Sequence, residues 1–327
     1  MCSMQKEQII KLAAQVIDTE ANAVLSLKTR LGDKFYQACQ MLLECPGKII
    51  VLGMGKSGHI ASKIAATLAS TGSPAFFVHP ADASHGDLGM ISHNDIIIAI
   101  SNSGNTGEIL DILPVIKKRQ ILLISLTGNP DSILAKSANV NLNVAVKEEA
   151  CPLGLAPTSS TTAALVMGDA IAVVLLKARG FTKNDFALSH PGGSLGKKLL
   201  LGIDQFIRTG NAIPKVPTNT KLPAAIVEIT SKRLGMTTIV DEKNELRGIF
   251  TDGDLRRAID KGIDLHETTI QKLMNPNYKT IGINTLAYDA LKLMEEYSIT
   301  SLIVLDDNKK MCGIVHMHDI LKAGINK

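Results

Sequence analysis

The 327-residue chain contains no tryptophan, and aromatic residues make up only 3% of it. Platforms on which sugar rings or nucleobases stack are therefore scarce, and a polar ligand must be gripped by hydrogen bonds and charge. The five cysteines, at positions 2, 39, 45, 151 and 312, form neither a CxxC pair nor an even framework, which predicts reduced thiols. No dense metal-ligand spacing such as HExxH is present. The net charge is a small +4 with lysines and arginines scattered among acids, so neither a nucleic-acid face nor a polybasic membrane anchor is visible. No basic start with an apolar core and cleavage site opens the chain, and the longest apolar region, Ala163 to Leu176, is cut by Asp169. These absences predict a soluble, unexported, cytoplasmic protein without nucleic-acid or membrane partners. The 45% of hydrophobic residues can fill complete cores, and the length suits two or three domains.

What is present begins with Lys48 to Gly58, KIIVLGMGKSG, an apolar run that stops at Gly53 and turns through Gly55, Lys56, Ser57 and Gly58 into a helical stretch. A strand feeding a helix through glycines gathers free backbone N–H groups and the positive end of the helix dipole, a place for an anion. Gly53-x-Gly55-x-x-Gly58 fits the dinucleotide fingerprint, Gly55-Lys56-Ser57 imitates the end of a phosphate-binding P-loop, and a sugar-phosphate site would look similar. The P-loop needs a glycine five residues before Gly55, where Ile50 stands. The dinucleotide reading needs an acidic residue at the end of the next strand, but the candidate Ala75 to His79 ends in histidine. A second loop weighs further: Asp95 to Ile100 reads as a buried strand opening into Ser101-Asn102-Ser103-Gly104-Asn105-Thr106, ahead of a helix from Gly107 to Arg119. Three hydroxyls at a helix N-terminus suit the terminal oxygens of a compact phosphate. Singly, each would pass for a helix cap or turn former.

Periodicity organises the rest. Ile9, Leu12, Ala13, Val16, Ile17 and Val24 predict an amphipathic helix whose apolar face is either core or a subunit interface. Short apolar strands at Lys48 to Gly53, Ala75 to His79, Asp95 to Ser101, Ile121 to Leu126 and Val140 to Val146 alternate with helices. That pattern predicts a doubly wound parallel sheet covered on both faces, with ligands beyond the carboxyl ends of its strands. Both phosphate-type loops, and Thr127-Gly128, lie at such ends. Pro157-Thr158-Ser159-Ser160-Thr161-Thr162 opens a long helix to Ala178 with more hydroxyls than capping requires. After Leu201 the chain repeats: shifted by 65 residues, Arg233 to Ala258 aligns without a gap on Ser298 to Ala323, placing Gly248 on Gly313 and Asp254 on Asp319.

The stretches GMGKSGHIASK, FFVHPADASHGDLG, AISNSGNTGEI, CPLGLAPTSSTTAALVMGDA and FALSHPGGSLGKKLL resemble the sugar isomerase (SIS) domain, and within it the arabinose 5-phosphate isomerase family. The resemblance runs from about Lys48 to the end of the chain. The repeat resembles a tandem of cystathionine β-synthase (CBS) domains, modules that often sense nucleotides. It implies a flavodoxin-like αβα sandwich over residues 1–201 with CBS repeats at 202–263 and 264–327, assembled as a homotetramer. The implied activity is interconversion of D-ribulose 5-phosphate and D-arabinose 5-phosphate, opening the 3-deoxy-D-manno-octulosonate branch of lipopolysaccharide synthesis.

Moving a proton between C1 and C2 through a cis-enediolate needs a base at carbon, a donor near the oxygens and a shield from water, and no metal or cofactor. By resemblance the catalytic set is Lys56, Glu108, Glu149 and His190. Glu149 is expected as the carbon base and His190 at ring opening or oxygen proton transfer, although the two can be reversed and Glu108 can be the base. Gly55, Ser57, Ser101, Ser103, Thr106, His85 and Thr158 form the expected substrate pocket, with His85 also a candidate loop-ordering residue or inhibitory metal contact. Thr251 and Asp254 match the nucleotide contacts of CBS domains, with Asp319 as the counterpart in the second repeat. There His316 replaces the usual hydroxyl residue, so that cleft departs from the pattern. Two other readings stay open. One is a phosphosugar isomerase of another substrate, a hexulose or amino-sugar phosphate. The other is a sugar-phosphate-sensing regulator, although such regulators carry a DNA-binding domain for which a single leading helix leaves no room.

Overall fold

The computed structural model describes residues 4–325, so Cys2 lies outside the described residues. The chain folds as two compact units, Met1–Phe186 and Ala187–Lys327. In the first, α1 (Lys6–Ser26) and α2 (Asp33–Leu43) precede β1 (Ile49–Gly53), α3 (Gly55–Ser70), β2 (Ala75–Val78), α4 (Pro80–Ser84) and β3 (Ile96–Ser101). There follow α5 (Gly107–Lys118), β4 (Leu122–Thr127), α6 (Ile133–Ser137), β5 (Val140–Asn143) and α7 (Ser159–Ala178).

All strand pairs of this unit are parallel, in the order β2-β1-β3-β4-β5. Alternation along the strands, with a period of two, sends side chains to opposite faces. Ile49, Val51, Ile96, Ile98 and Ile100 pack with α2, α3 and α7, whereas Ile50, Leu52, Ile97 and Ala99 pack with α5 and α6. The expected doubly wound sandwich is thus formed, and its strand order reverses between β1 and β3. The buried carboxylate of Asp95 ties the beginnings of these two strands by accepting from the Lys48 N–H at 2.8 Å and the Ser92 N–H at 2.6 Å. β5 stops at Asn143 rather than Val146, because the Asn143 side chain accepts from the Ala145 N–H and Arg30 takes the carbonyls of Asn143 and Ala145. By length and composition α7 could span a membrane, but half of its apolar window is buried in the unit and its Asp169 binds Lys63 of α3. For α1 the choice left open by periodicity is narrowed: Ala23 alone is buried on it, while Ile9, Ile10, Leu12 and Ile17 stay exposed.

α8 (Lys183–Ser189) crosses the unit boundary and α9 (Ser194–Leu200) follows. The second unit then runs through β6 (Lys215–Pro217), α10 (Leu222–Lys232), β7 (Met236–Val240), β8 (Leu246–Thr251) and α11 (Asp252–Asp260). β9 (Thr280–Gly282), α12 (Ala287–Glu296), β10 (Ser301–Leu305), β11 (Met311–His316) and α13 (Met317–Lys322) complete it. The 65-residue repeat survives in three dimensions: Ile239 faces Gly248 as Val304 faces Gly313, and a register shift follows at both places. Left-handed residues recur at the same spacing, Arg233 (φ 57°) with Ser298 (φ 53°) and Asn244 (φ 59°) with Lys309 (φ 61°).

Candidate active site

The end of β1 is shaped by mutual contact between two glycines. A Cβ on Gly53 would lie 2.6 Å from the Ser57 carbonyl oxygen and one on Gly58 would lie 2.7 Å from that of Gly53, so both keep α3 pressed on its strand. This packing accounts for the likeness to a dinucleotide fingerprint without any dinucleotide. Gly55 adopts a φ of +53° and already begins the helix, so Lys56 and Ser57 stand on its first turn rather than in an open loop.

On the neighbouring strand, the Ser101 and Thr106 hydroxyls are 2.7 Å apart, and those of Ser101 and Ser103 are 3.5 Å apart. Ser101 Oγ also accepts from the Gly104 N–H, which folds the turn tightly; a Cβ on Gly104 would stand 2.0 Å from Ser132 Oγ. Thr106 occupies the N-cap position of α5, yet its side chain makes no cap hydrogen bond. Its hydroxyl is therefore not explained as a cap. Ser103 does act as a turn former, accepting from the Asn105 N–H at 3.2 Å.

These two loops meet at the point where the strand order reverses, where ligands gather in open α/β sheets. They line a cleft of about 400 Å³ with Lys56, Ser57, Ser101, Ser103, Thr106 and Glu149 on its walls, a size suited to a small molecule. Asn102 and Leu155 line it as well and were missed as site residues by the sequence reading, although Asn102 stands inside the hydroxyl turn. Gly55 lies at the foot of this wall, outside the lining. Thr127 is fully buried with its hydroxyl on Asn141, and Gly128 packs on Asn102, so this third strand end supports the cleft rather than lining it.

Glu149 arrives on the connection between β5 and α7. Its Oε2 accepts from the Thr158 N–H at 2.8 Å, the Thr158 hydroxyl at 3.1 Å and the Ser160 N–H at 3.2 Å. The carboxylate thereby does for α7 what a capping side chain does, satisfying orphan donors at the positive end of the dipole. Burial pushes this carboxyl up, but the donors of Ser160 and Thr158 outweigh it and hold it below its ordinary value. Further along the cluster, Thr161 donates to the Thr158 carbonyl and Thr162 to Glu20 of α1.

Not every expected residue joins the cleft. Glu108 is exposed on the first turn of α5 and His85 is exposed beside α4, neither among the lining residues. His190 belongs to the second unit, half-buried in the turn between α8 and α9, where Gly196 approaches so closely that a Cβ would stand 2.2 Å from the His190 carbonyl oxygen. Among the described residues no group of three or more His, Cys, Asp or Glu side chains is arranged to hold a metal. The described cysteines, Cys39, Cys45, Cys151 and Cys312, are all free.

The second unit has a cleft of its own, about 390 Å³, lined by Thr251, Asp254, Arg257, Tyr278, Lys279 and Thr300 among others. Thr251 and Asp254 hold each other as a capping box, with the Thr251 hydroxyl donating to Asp254 Oδ2 at 2.7 Å and accepting from the Asp254 N–H. Arg257 Nη2 donates to the other oxygen of Asp254, Oδ1, at 2.6 Å. The counterpart Asp319 is likewise paired with an arginine, Arg208, which donates to its Oδ2 from Nε at 3.0 Å and from Nη2 at 2.9 Å. His316 caps α13 by accepting the His318 N–H at Nδ1, and its burial, with His318 alongside, pushes its pKa down.

Comparison with known proteins agrees with both halves. The SIS domain model matches residues 42–174, and the CBS domain model matches 209–261 and 270–326. The chain is 54% identical over 321 residues to arabinose 5-phosphate isomerase KdsD of Pseudomonas aeruginosa, covering 98% of each chain. It is 55% identical over 311 residues to the Yersinia pestis enzyme of the same name, covering 95% of this chain and 94% of that one. Among solved structures, Escherichia coli CFT073 c3406 in complex with arabinose 5-phosphate superposes with a TM-score of 0.56 at 46% identity, over 57% of this chain and all of the other. In sequence along almost its whole length, as in the SIS and CBS domains it carries, the chain belongs to the arabinose 5-phosphate isomerase KdsD family.

Proposed function

We propose that the protein is an aldose–ketose isomerase that interconverts D-ribulose 5-phosphate and D-arabinose 5-phosphate through a cis-enediolate. The observation that carries this reading is one cleft holding three hydroxyls, those of Ser103 and Thr106 both reaching that of Ser101, together with a lysine and an anchored carboxylate. The phosphate sits on Ser101, Ser103 and Thr106, with Ser57 and the N-terminus of α3 beside it. Glu149 takes the proton from C1 of the ketose and returns it to C2, while Lys56 balances charge on the enediolate oxygen. Shifting the hydroxyl proton from one oxygen to the other, and opening the aldose ring, are the work assigned to His190, with Glu108 the second candidate for the carbon base. No metal takes part.

A coupled product assay across several pentose and hexose phosphates tests the substrate, and exchange of the C1 or C2 hydrogen with deuterated solvent tests the base. Glu149→Gln keeps size and hydrogen bonding but cannot accept the proton, so turnover falls by about two to four orders of magnitude and exchange stops. Exchange at the wild-type rate in that variant moves the role to Glu108. Activity on hexulose or amino-sugar phosphates alone replaces the substrate assignment, and binding without turnover makes the protein a sensor.

We further propose that residues 1–201 form the catalytic domain, with CBS repeats at 202–263 and 264–327. The setting is cytoplasmic, at the entry to the 3-deoxy-D-manno-octulosonate branch of lipopolysaccharide synthesis. The exposed apolar face of α1 suits burial in a homotetramer. A nucleotide or nucleotide sugar binds at Thr251 and Asp254, which share their cleft with Arg257, whereas Asp319 is not among the residues lining that cleft.

A further inference from the structure

The hydroxyl of Thr158 has two engagements, and neither is with its own helix. Thr158 stands at the N-cap of α7, with φ −132° and ψ −79°, and makes no side-chain cap bond. Its Oγ1 accepts from the Ala150 N–H at 2.9 Å and donates to Glu149 Oε2 at 3.1 Å. It therefore links the backbone just after Glu149 to the carboxylate of Glu149, closing a small ring that defines both the main-chain turn and the side-chain rotamer. Two backbone donors, from Thr158 and Ser160, hold the same oxygen. These three bonds all fall on Oε2 and leave Oε1 outside the ring.

We infer that Thr158 is a positioning residue for the isomerisation: its hydroxyl, with the two backbone N–H groups, consumes Oε2 so that Oε1 is the oxygen presented to the substrate carbon. The inference rests on Glu149 being the carbon base. In the forward step the C1–H bond of the ketose breaks, its proton goes to Oε1, and its electron pair becomes the enediolate double bond. In the return step the proton leaves Oε1 for C2 and the carboxylate is regenerated, so no oxidant, reductant or co-reactant is consumed. A base with both oxygens free to rotate would sample many orientations. One held by three donors keeps the proton-accepting lone pair within reach of both carbons, the kind of alignment on which near-attack geometry depends. The sequence placed Thr158 in the substrate pocket; the geometry points to action through Glu149.

The test is the pH dependence of kcat/KM in the full chain for wild type, Thr158→Val, Thr158→Ser and Glu149→Gln. Thr158→Val keeps the shape but removes one donor to the carboxylate. Its acidic limb should move up by about one pH unit and its kcat should fall roughly tenfold. Thr158→Ser, which restores the hydroxyl, should return both toward wild type. An acidic limb lost in Glu149→Gln but unmoved in Thr158→Val, with KM alone raised, overturns the inference and returns Thr158 to direct substrate contact. A limb that persists in the residual activity of Glu149→Gln overturns the base assignment and the inference together.

Discussion

At the scale of single residues, the phosphate turn offers the sharpest measurement. A hydrogen bond to a charged group contributes roughly 1.5 to 3 kcal/mol. Ser103→Ala should thus weaken substrate binding by about ten- to a hundredfold with the melting temperature little changed, since Ser103 is exposed and its internal contacts, with the Asn105 N–H and the Ser101 hydroxyl, lie within one turn. Wild-type affinity in a binding titration would move the phosphate elsewhere. Cysteine chemistry gives a second test. Burial raises the thiols of Cys39, to about 11, and of Cys45 and Cys312, whereas backbone N–H groups of Ala156, Leu153, Leu155 and Gly154 lower that of Cys151. A thiolate is the nucleophile, so iodoacetamide near neutral pH should modify Cys151 before the other three. Because Gly154, Leu155 and Pro157 of the same loop line the cleft, this modification should inhibit, and substrate should protect. Peptide mapping in a Cys2→Ser background checks the order of reaction. What the sequence could say here depended on distance along the chain. The hydroxyl turn was legible because its members are neighbours. The contact of Glu149 with Thr158 and Ser160 crosses a loop, and residue types alone do not show on which side of that loop a carboxylate folds.

At the scale of elements, period and punctuation made the five strands and the 65-residue repeat readable, and the structure adds that the two copies share their left-handed positions. Two things were hidden. An amphipathic α1 has the same period whether its face meets a core or another subunit, so exposure had to come from the structure. Asp95 read as the first residue of a strand, yet its carboxylate joins the entries of β1 and β3. Asp95→Ala strips the Lys48 and Ser92 N–H groups of their acceptor and should cost about 1 to 3 kcal/mol of stability, measured by urea unfolding. The acid behaviour follows from its proton affinity. Burial raises this carboxyl, but the hydrogen bonds from Lys48 and Ser92 together hold it below its ordinary value. Its contribution is therefore complete above the unfolded value and is lost as pH falls through the lower folded one. Asp95→Asn should show a flatter loss of stability than wild type below about pH 4. In the second unit, Asp254→Ala should abolish titration heat from adenine nucleotides or cytidine nucleotide sugars, while Asp319→Ala should leave it intact. Silence from every ligand in the wild type would leave the repeat as a structural or assembling element.

At the scale of the whole molecule, 57% of this chain is enough to match the whole of the solved chain it resembles. A chain ended at Leu201 should keep some isomerase activity, and one ended at Phe186, which lacks His190, should lose the step assigned to that histidine. Comparing turnover from the ketose with turnover from the cyclic aldose separates the two cases, because only the aldose must open a ring. Equal activities in both chains would remove His190 from the mechanism. The same carboxylate proposed to move the proton also closes the positive end of α7, a twenty-residue helix buried against the sheet. A compound that binds by engaging Glu149 would therefore be hard to escape through drug resistance. A replacement there would remove the base and uncap the helix in one step, leaving a resistant strain with less catalyst and a weaker scaffold to carry it.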